Sequence, residues 1–125
     1  MKREIKFRGK RLDNGEWVYG FLADEDYIND INSIDLSSIE VDPATVSQYT
    51  GLKDCNGKEI YEGDIIKLDL FNHLLFVVDF VEGAFCLKNG DGYYTDINYI
   101  QHAGINQAEL VGNIHDNPAL LEGKK

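Results

Sequence analysis

Three histidines and two cysteines are the side chains of this 125-residue chain that could bind a transition metal. The histidines are His73, His102 and His115, and no two of them lie close enough in sequence to form a local ligand pair. The short spacings typical of a zinc site are therefore missing, and zinc binding is the less favoured interpretation. We predict no metal and no other cofactor.

The two cysteines could in principle act as nucleophiles or form a disulfide. Cys55 lies in a predicted turn beside Asp54, with Lys53 and Lys58 as the nearest cations, whereas Cys86 lies in a predicted strand. A reactive thiolate needs a more electropositive environment than this, and no Cys-x-x-Cys spacing is present. We expect two free thiols in a reducing compartment, neither of them catalytic.

Carboxylates are abundant, with 22 acidic side chains, and several crowd the segment of residues 24–42. The crowded acids are Asp24, Glu25, Asp26, Asp30 and Asp35. Their spacing does not match an EF-hand loop, and residues 89–96 do not match it either, so a solvated acidic loop is preferred over an ion site. The chain contains no Gly-x-Ser-x-Gly motif, no His-Glu-x-x-His motif and no Walker motif. We therefore predict no catalytic residue.

Basic side chains are concentrated at the start of the chain. Six fall within the first eleven residues, where Glu4 is the one acid, so this segment has a net charge of +5. They are Lys2, Arg3, Lys6, Arg8, Lys10 and Arg11. Because the whole chain has a net charge of −10, the remainder carries −15.

These six cations, with Trp17 and Tyr19 near them, form the candidate interaction surface. Cations beside aromatic rings could bind the phosphates and bases of a nucleic acid. The preferred alternative is that the cations contact the acidic body of the same or a neighbouring subunit, because a charge of −15 repels nucleic acid.

The elements that carry these residues are predicted to be short strands. Residues 3–8 and 17–21 alternate with a period of two around Asn14-Gly15, which predicts an N-terminal hairpin over residues 1–23 with a tight primed turn. Asn56-Gly57 predicts a second such turn. The segment of residues 74–81 is apolar on both faces and should be covered on both sides, by the same chain or by a neighbouring subunit.

About eight to ten short strands follow from this pattern, which is typical of a barrel-like or sandwich domain that is mainly β. We predict one domain over residues 1–125, with a variable acidic segment at 24–42, a main β body at 43–121 and a short C-terminal helix after Pro118. No apolar run approaches the ~20 residues of a membrane span, and no signal peptide is recognisable, so we expect a cytoplasmic protein with no membrane contact.

Three segments resemble the YopX family of phage and prophage proteins. They are residues 46–66, which read VSQYTGLKDCNGKEIYEGDII, residues 5–10 and 14–20, which read IKFRGK and NGEWVYG, and residues 112–121, which read GNIHDNPALL. The resemblance implies a predominantly β fold with a barrel-like part, phage or prophage origin and a bacterial cytoplasmic location. It implies no activity and no site residues. Gly51, Gly57 and Gly63 of the longest segment recur every six residues at predicted turns, which favours a structural role over a ligand loop.

The functional hypothesis that we prefer is a non-catalytic accessory protein that self-associates as a homo-oligomer and binds a host or phage protein. The alternative is a small nucleic-acid-binding β-barrel that uses the basic hairpin. An enzyme is the least favoured hypothesis.

Overall fold

The computed structural model describes residues 5–33, 37–68, 74–88, 94–96 and 108–122, and it is mainly β. The described strands are β1 Phe7–Lys10, β2 Trp17–Asp24, β3 Tyr27–Asp30, β4 Ser38–Glu40, β5 Ser47–Lys53, β6 Glu59–Tyr61, β7 Asp64–Leu68, β8 Leu74–Val81, β9 Ala84–Lys88, β10 Tyr94–Asp96 and β11 Ala108–Asn113. A 3-10 turn occupies Pro43–Thr45. The prediction of a mainly β fold built from antiparallel hairpins is confirmed.

The strands form two antiparallel sheets, with orders β4-β3-β2-β1-β5-β6 and β10-β9-β8-β7-β11. The chain divides after Gly51 into two compact units. β5 continues across this boundary, and β6 pairs with it in the second unit. Neither sheet closes into a barrel within the described strands.

The predicted N-terminal hairpin is present, but its turn is not the tight one expected. β1 pairs with β2 in register, and Gly15 donates its N–H to the carbonyl of Arg11 at 2.9 Å, which closes a four-residue loop. Only Gly15 in this loop has a positive φ, of 75°, while the Asn14 side chain accepts the N–H of Glu16. A primed turn needs positive φ at two consecutive residues, and this loop needs it at one.

The two-residue primed turn occurs instead at Glu82-Gly83, between β8 and β9. Val81 pairs with Ala84, and the two turn residues have φ values of 51° and 83°. Glu82 is the one residue other than glycine with positive φ in the described part of the chain. The sequence places Glu82-Gly83 between two strands, but it does not indicate a primed turn there, because glutamate, unlike asparagine, has no preference for the left-handed region.

The core of the first unit lies against one face of its sheet. Val18, Ile28 and Val41 are buried there, and full burial of such a side chain contributes roughly 1.5–3 kcal/mol. Gly9 of β1 allows the close approach, because a Cβ at this position would lie 3.0 Å from Cγ2 of Val41 and 3.1 Å from Cδ1 of Ile28. Past β4 the chain returns to the end of β1, where Asp42 donates its N–H to the Lys10 carbonyl at 2.8 Å.

The core of the second unit lies on one face of the strand at residues 74–81. Phe76 and Val78 of β8 are buried, whereas Leu75 and Val77 on the opposite face are only half-buried. Phe80 is 45% exposed at the end of the strand, where its ring meets the edge of Phe85 at a centroid distance of 4.9 Å. The chain therefore covers one face of this strand well and the other face partly.

The described C-terminal residues contain one helical turn, Ala119–Glu122, and no longer helix. The predicted short terminal helix is not confirmed beyond this single turn among the described residues. Nowhere in the described ranges does a helix reach the length and hydropathy needed to cross a bilayer.

Candidate interaction surface

The basic strand and the aromatic strand beside it share one face of the first sheet. Arg8 lies opposite Tyr19 and Lys10 opposite Trp17, and directly opposed residues project to the same side. On the other neighbour of β1, Tyr49 donates its N–H to the Lys6 carbonyl at 2.8 Å. The predicted residues Lys6, Arg8, Lys10, Trp17 and Tyr19 are therefore brought together, while Lys2 and Arg3 lie outside the described residues.

The three described cations Lys6, Arg8 and Lys10 each lie over an aromatic ring. The guanidinium carbon of Arg8 lies 4.4 Å from the centroid of the Trp17 ring, and the Lys10 Nζ lies 5.5 Å from the same centroid. The Lys6 Nζ lies 5.2 Å from the centroid of the Tyr49 ring. Such contacts stabilise by about 0.5–2 kcal/mol, with the larger value when the cation is desolvated. Tyr49 was not among the predicted surface residues, since only the pairing of β1 with β5 brings it here.

Lys6 and Arg8 are buried, with 9% and 5% of their surface exposed. A buried cation needs compensating contacts, and the aromatic rings supply part of them. The sequence predicts that these two cations are exposed, but their side chains are largely buried. They are therefore less accessible to a phosphate group than exposed cations would be.

Arg11 has an acidic partner in the same chain. Its Nε donates to Oδ1 of Asp13 at 2.9 Å and its Nη2 donates to Oδ2 at 2.8 Å. The two side chains form a bidentate ion pair on the surface. The hydrogen bond from Arg11 lowers the pKa of Asp13, and the same bond raises the pKa of Arg11. Arg11 therefore pairs with a carboxylate two residues away in its own chain.

Exposed apolar side chains continue the same face onto β3. Phe21, Tyr27 and Ile31 are 45%, 37% and 38% exposed. Phe21 lies opposite Asn29, and Ile31 donates its N–H to the Tyr19 carbonyl at 2.9 Å, which sets the register. We call the following five residues the β2–β3 patch: Trp17, Tyr19, Phe21, Tyr27 and Ile31. The alternation in residues 17–21 predicted its first half.

A second constellation lies in the second unit, where Asp54 is buried at 4% exposure. Its Oδ1 accepts the N–H groups of Asn56 and Lys58 at 2.8 and 2.9 Å, and its Oδ2 accepts the N–H of Leu110 at 2.9 Å. The adjacent Cys55 donates its N–H to the Ala108 carbonyl at 2.9 Å. The hydrogen bonds to Ala108 and Leu110 therefore hold the turn after β5 against the outer edge of β11.

A third set of contacts joins the turn before β7 to the closing segment. The buried Asp64 accepts the N–H of Tyr61 at 2.7 Å. Gly63, with φ of 89°, donates to the Val78 carbonyl at 2.8 Å and accepts the N–H of Ile114 at 2.9 Å. Polar groups in these turns therefore hold the backbone together.

The family model that describes the YopX protein matches residues 6–122. The chain belongs to the YopX family. Among curated proteins no sequence matches it. A solved structure, the crystal structure of protein EF1440 from Enterococcus faecalis, is similar over 96% of this chain and 99% of that chain, with 26% sequence identity and a TM-score of 0.63.

Two of the three segments that resembled the YopX family contain these turns. Residues 46–66 contain both Asp54 and Asp64, and residues 112–121 contain Asn113, whose Oδ1 accepts the N–H groups of His115 and Asp116 at 2.9 and 2.8 Å. The geometry of this YopX chain thus supports the structural interpretation of its glycine-rich segment, since the polar atoms of these turns bind the protein's own backbone.

The metal-ligand candidates are not brought together where they can be described. His73, His102 and Asp35 lie outside the described residues. Among the described residues, no three His, Cys, Asp or Glu side chains are grouped to hold an ion. Cys55 is exposed and Cys86 half-buried, and neither forms a disulfide in the described part of the chain.

Proposed function

We propose that this YopX-family protein is a non-catalytic accessory protein of phage or prophage origin. It acts in the bacterial cytoplasm by binding a host or phage protein and by associating with its own copies. The observation that carries this proposal is the β2–β3 patch. Phe21, Tyr27 and Ile31 are all more than one-third exposed on one sheet face, and grouped apolar exposure of this kind favours a protein interface.

The binding of another protein is tested by affinity capture from phage-infected cells with two baits. The wild-type chain is compared with a variant in which Phe21 and Ile31 are both replaced by serine. We expect specific proteins to be captured by the wild type and lost from the variant. A Leu12→Ser bait is the control, because Leu12 is 58% exposed and lies outside the patch. Identical captured sets for all three baits would contradict the proposal.

The self-association is tested by light scattering of the purified chain at micromolar concentration. We expect a measured mass at least twice that of one chain. A monomer of 14.2 kDa across this range would contradict this part of the proposal and leave the protein-binding part standing.

Nucleic-acid binding is the second candidate, favoured by the stacking of Arg8 and Lys10 on Trp17. Titration with single- and double-stranded DNA and RNA at low salt separates the two functions. The preferred function predicts no binding. Binding that falls in Lys10→Ala and not in the control Lys53→Ala would favour the nucleic-acid candidate. Lys10 is the better position for this test, since replacing the buried Lys6 or Arg8 also perturbs the fold.

An enzyme remains the least favoured function. Thermal-shift screening with nucleotides and divalent metals tests it, and we expect no change in melting temperature. A reproducible shift with one ligand would give the enzyme hypothesis its first support.

A further inference from the structure

The two ends of β2 carry opposite charge. Lys10 lies opposite the first residue, Trp17, with the Arg8 guanidinium over its ring, and Glu16 offsets part of this positive charge. The last residue, Asp24, is followed in the turn by Glu25 and Asp26. At about 3.3 Å per residue, the eight residues of β2 place these ends roughly 23 Å apart.

The middle of β2 is apolar on the same face. Tyr19 is half-buried and Phe21 is exposed there, and Ile31 of the neighbouring chain segment lies opposite Tyr19. The order along the strand is therefore basic, aromatic and acidic. A two-fold interface needs a surface that is complementary to itself. When two copies of this strand lie antiparallel, the basic end of each copy meets the acidic end of the other.

We propose that the β2–β3 patch is the contact between two copies of this chain, with the two β2 strands face to face and antiparallel. The two-fold axis crosses β2 between Tyr19 and Phe21, so that Lys10 of each copy faces Asp24 of the other. This inference rests on the proposed self-association and names its surface. A second copy is the occupant that the charge pattern selects, because it presents an acidic end to the basic end and a basic end to the acidic one.

Charge reversal at the two ends tests the arrangement by light scattering and sedimentation. In Lys10→Glu two carboxylates face each other at both ends of the interface, and in Asp24→Lys two ammonium groups do so. We expect each single variant to dimerise about tenfold more weakly than the wild type, and an equimolar mixture of the two to recover wild-type affinity as a heterodimer. Lys53→Glu, an exposed charge reversal in the second unit, is expected to dimerise like the wild type.

Phe21→Ser is the independent variant, expected to keep the β-sheet circular dichroism spectrum of the wild type and to abolish dimerisation. If Lys10→Glu, Asp24→Lys and Phe21→Ser all associate as strongly as the wild type, the proposed surface is overturned and the proposed self-association stands. A wild type that is monomeric overturns both. Binding of a poly-glutamate peptide to a monomeric wild type overturns the two-fold contact in favour of an acidic partner. A mixture that associates no better than its single variants also overturns it.

Discussion

Asp54 accepts a hydrogen bond from the backbone N–H of Leu110 at 2.9 Å, across 56 residues of sequence. The same carboxylate binds two N–H groups of its own turn, so one side chain fixes both the shape of the turn and its position on β11. β11 pairs with β7 on its other side. The turn thus covers part of a sheet edge that would otherwise present unpaired backbone groups.

Replacing Asp54 by alanine should therefore destabilise the second unit. Three N–H groups lose their acceptor, and a hydrogen bond to a charged group contributes about 1.5–3 kcal/mol, so we expect a loss of at least about 3 kcal/mol in the free energy of unfolding. Urea denaturation measures it. Glu25→Ala, an exposed carboxylate outside this network, should change the same quantity by less than about 0.5 kcal/mol. Equal stability of the two variants would contradict the role of Asp54.

Gly20→Ala should disrupt the pairing of β2 with β3. A Cβ at Gly20 would collide with the backbone carbonyl of Asn29, which cannot rotate away as a side chain can. We expect a loss of roughly 2 kcal/mol or more by thermal or urea denaturation. Gly15→Ala is the comparison, because that site has open space and only its φ of 75° opposes alanine, at a cost of about 1 kcal/mol. A larger loss for Gly15→Ala would contradict the steric argument.

Glu82→Asn should stabilise the protein. Glu82 has a φ of 51° in a two-residue primed turn, and asparagine tolerates this region better than glutamate does. The expected gain is about 0.5–1 kcal/mol in the free energy of unfolding. Glu82→Gln removes the same charge without the conformational advantage, so it should show little of the gain. If both variants gain equally, charge and not backbone conformation is responsible.

The Arg8–Trp17 stack should appear as a coupling energy in a double-mutant cycle. Arg8→Met, Trp17→Leu and the double variant are compared by denaturation, and we expect a coupling of about 1–2 kcal/mol because Arg8 is 5% exposed. The coupling should be almost unchanged by 0.5 M salt, as expected for a buried contact. Additive losses would show that the ring merely packs against the aliphatic part of Arg8.

The surface pair of Arg11 and Asp13 has a direct signature in a pH titration. Hydrogen bonding to Arg11 lowers the pKa of Asp13, so Arg11→Gln should raise it towards the ordinary aspartate value. Because the pKa is lower in the folded state, the contribution of the pair to stability is present above the ordinary value of about 4 and is lost as pH falls through the lowered pKa. NMR titration of the Asp13 carboxyl measures the change. An unchanged titration in Arg11→Gln would contradict the ion pair.

Much of the candidate surface could be predicted from local pattern. The period of two places Arg8 and Lys10 on the same side of β1, and the turn at Asn14-Gly15 brings β2 back beside them. The exposure of the cations could not be predicted in this way. Alternation identifies two faces of a strand, but it does not say how much of each face the rest of the fold buries, and Arg8 proved to be buried.

The amino-acid sequence by itself determined the mainly β character, the positions of most turns, the uneven distribution of charge and the resemblance to the YopX family. Each of these properties depends on residues that are close together in the chain. Only the tertiary structure decided that Lys6 stacks on Tyr49 and that Asp54 binds Leu110. It also decided that the left-handed pair of the primed turn falls at Glu82-Gly83. The first two contacts join residues far apart in the chain, and the third is imposed on an unfavourable residue by the pairing of β8 with β9. Such features depend on strand register and packing, which no local spacing encodes.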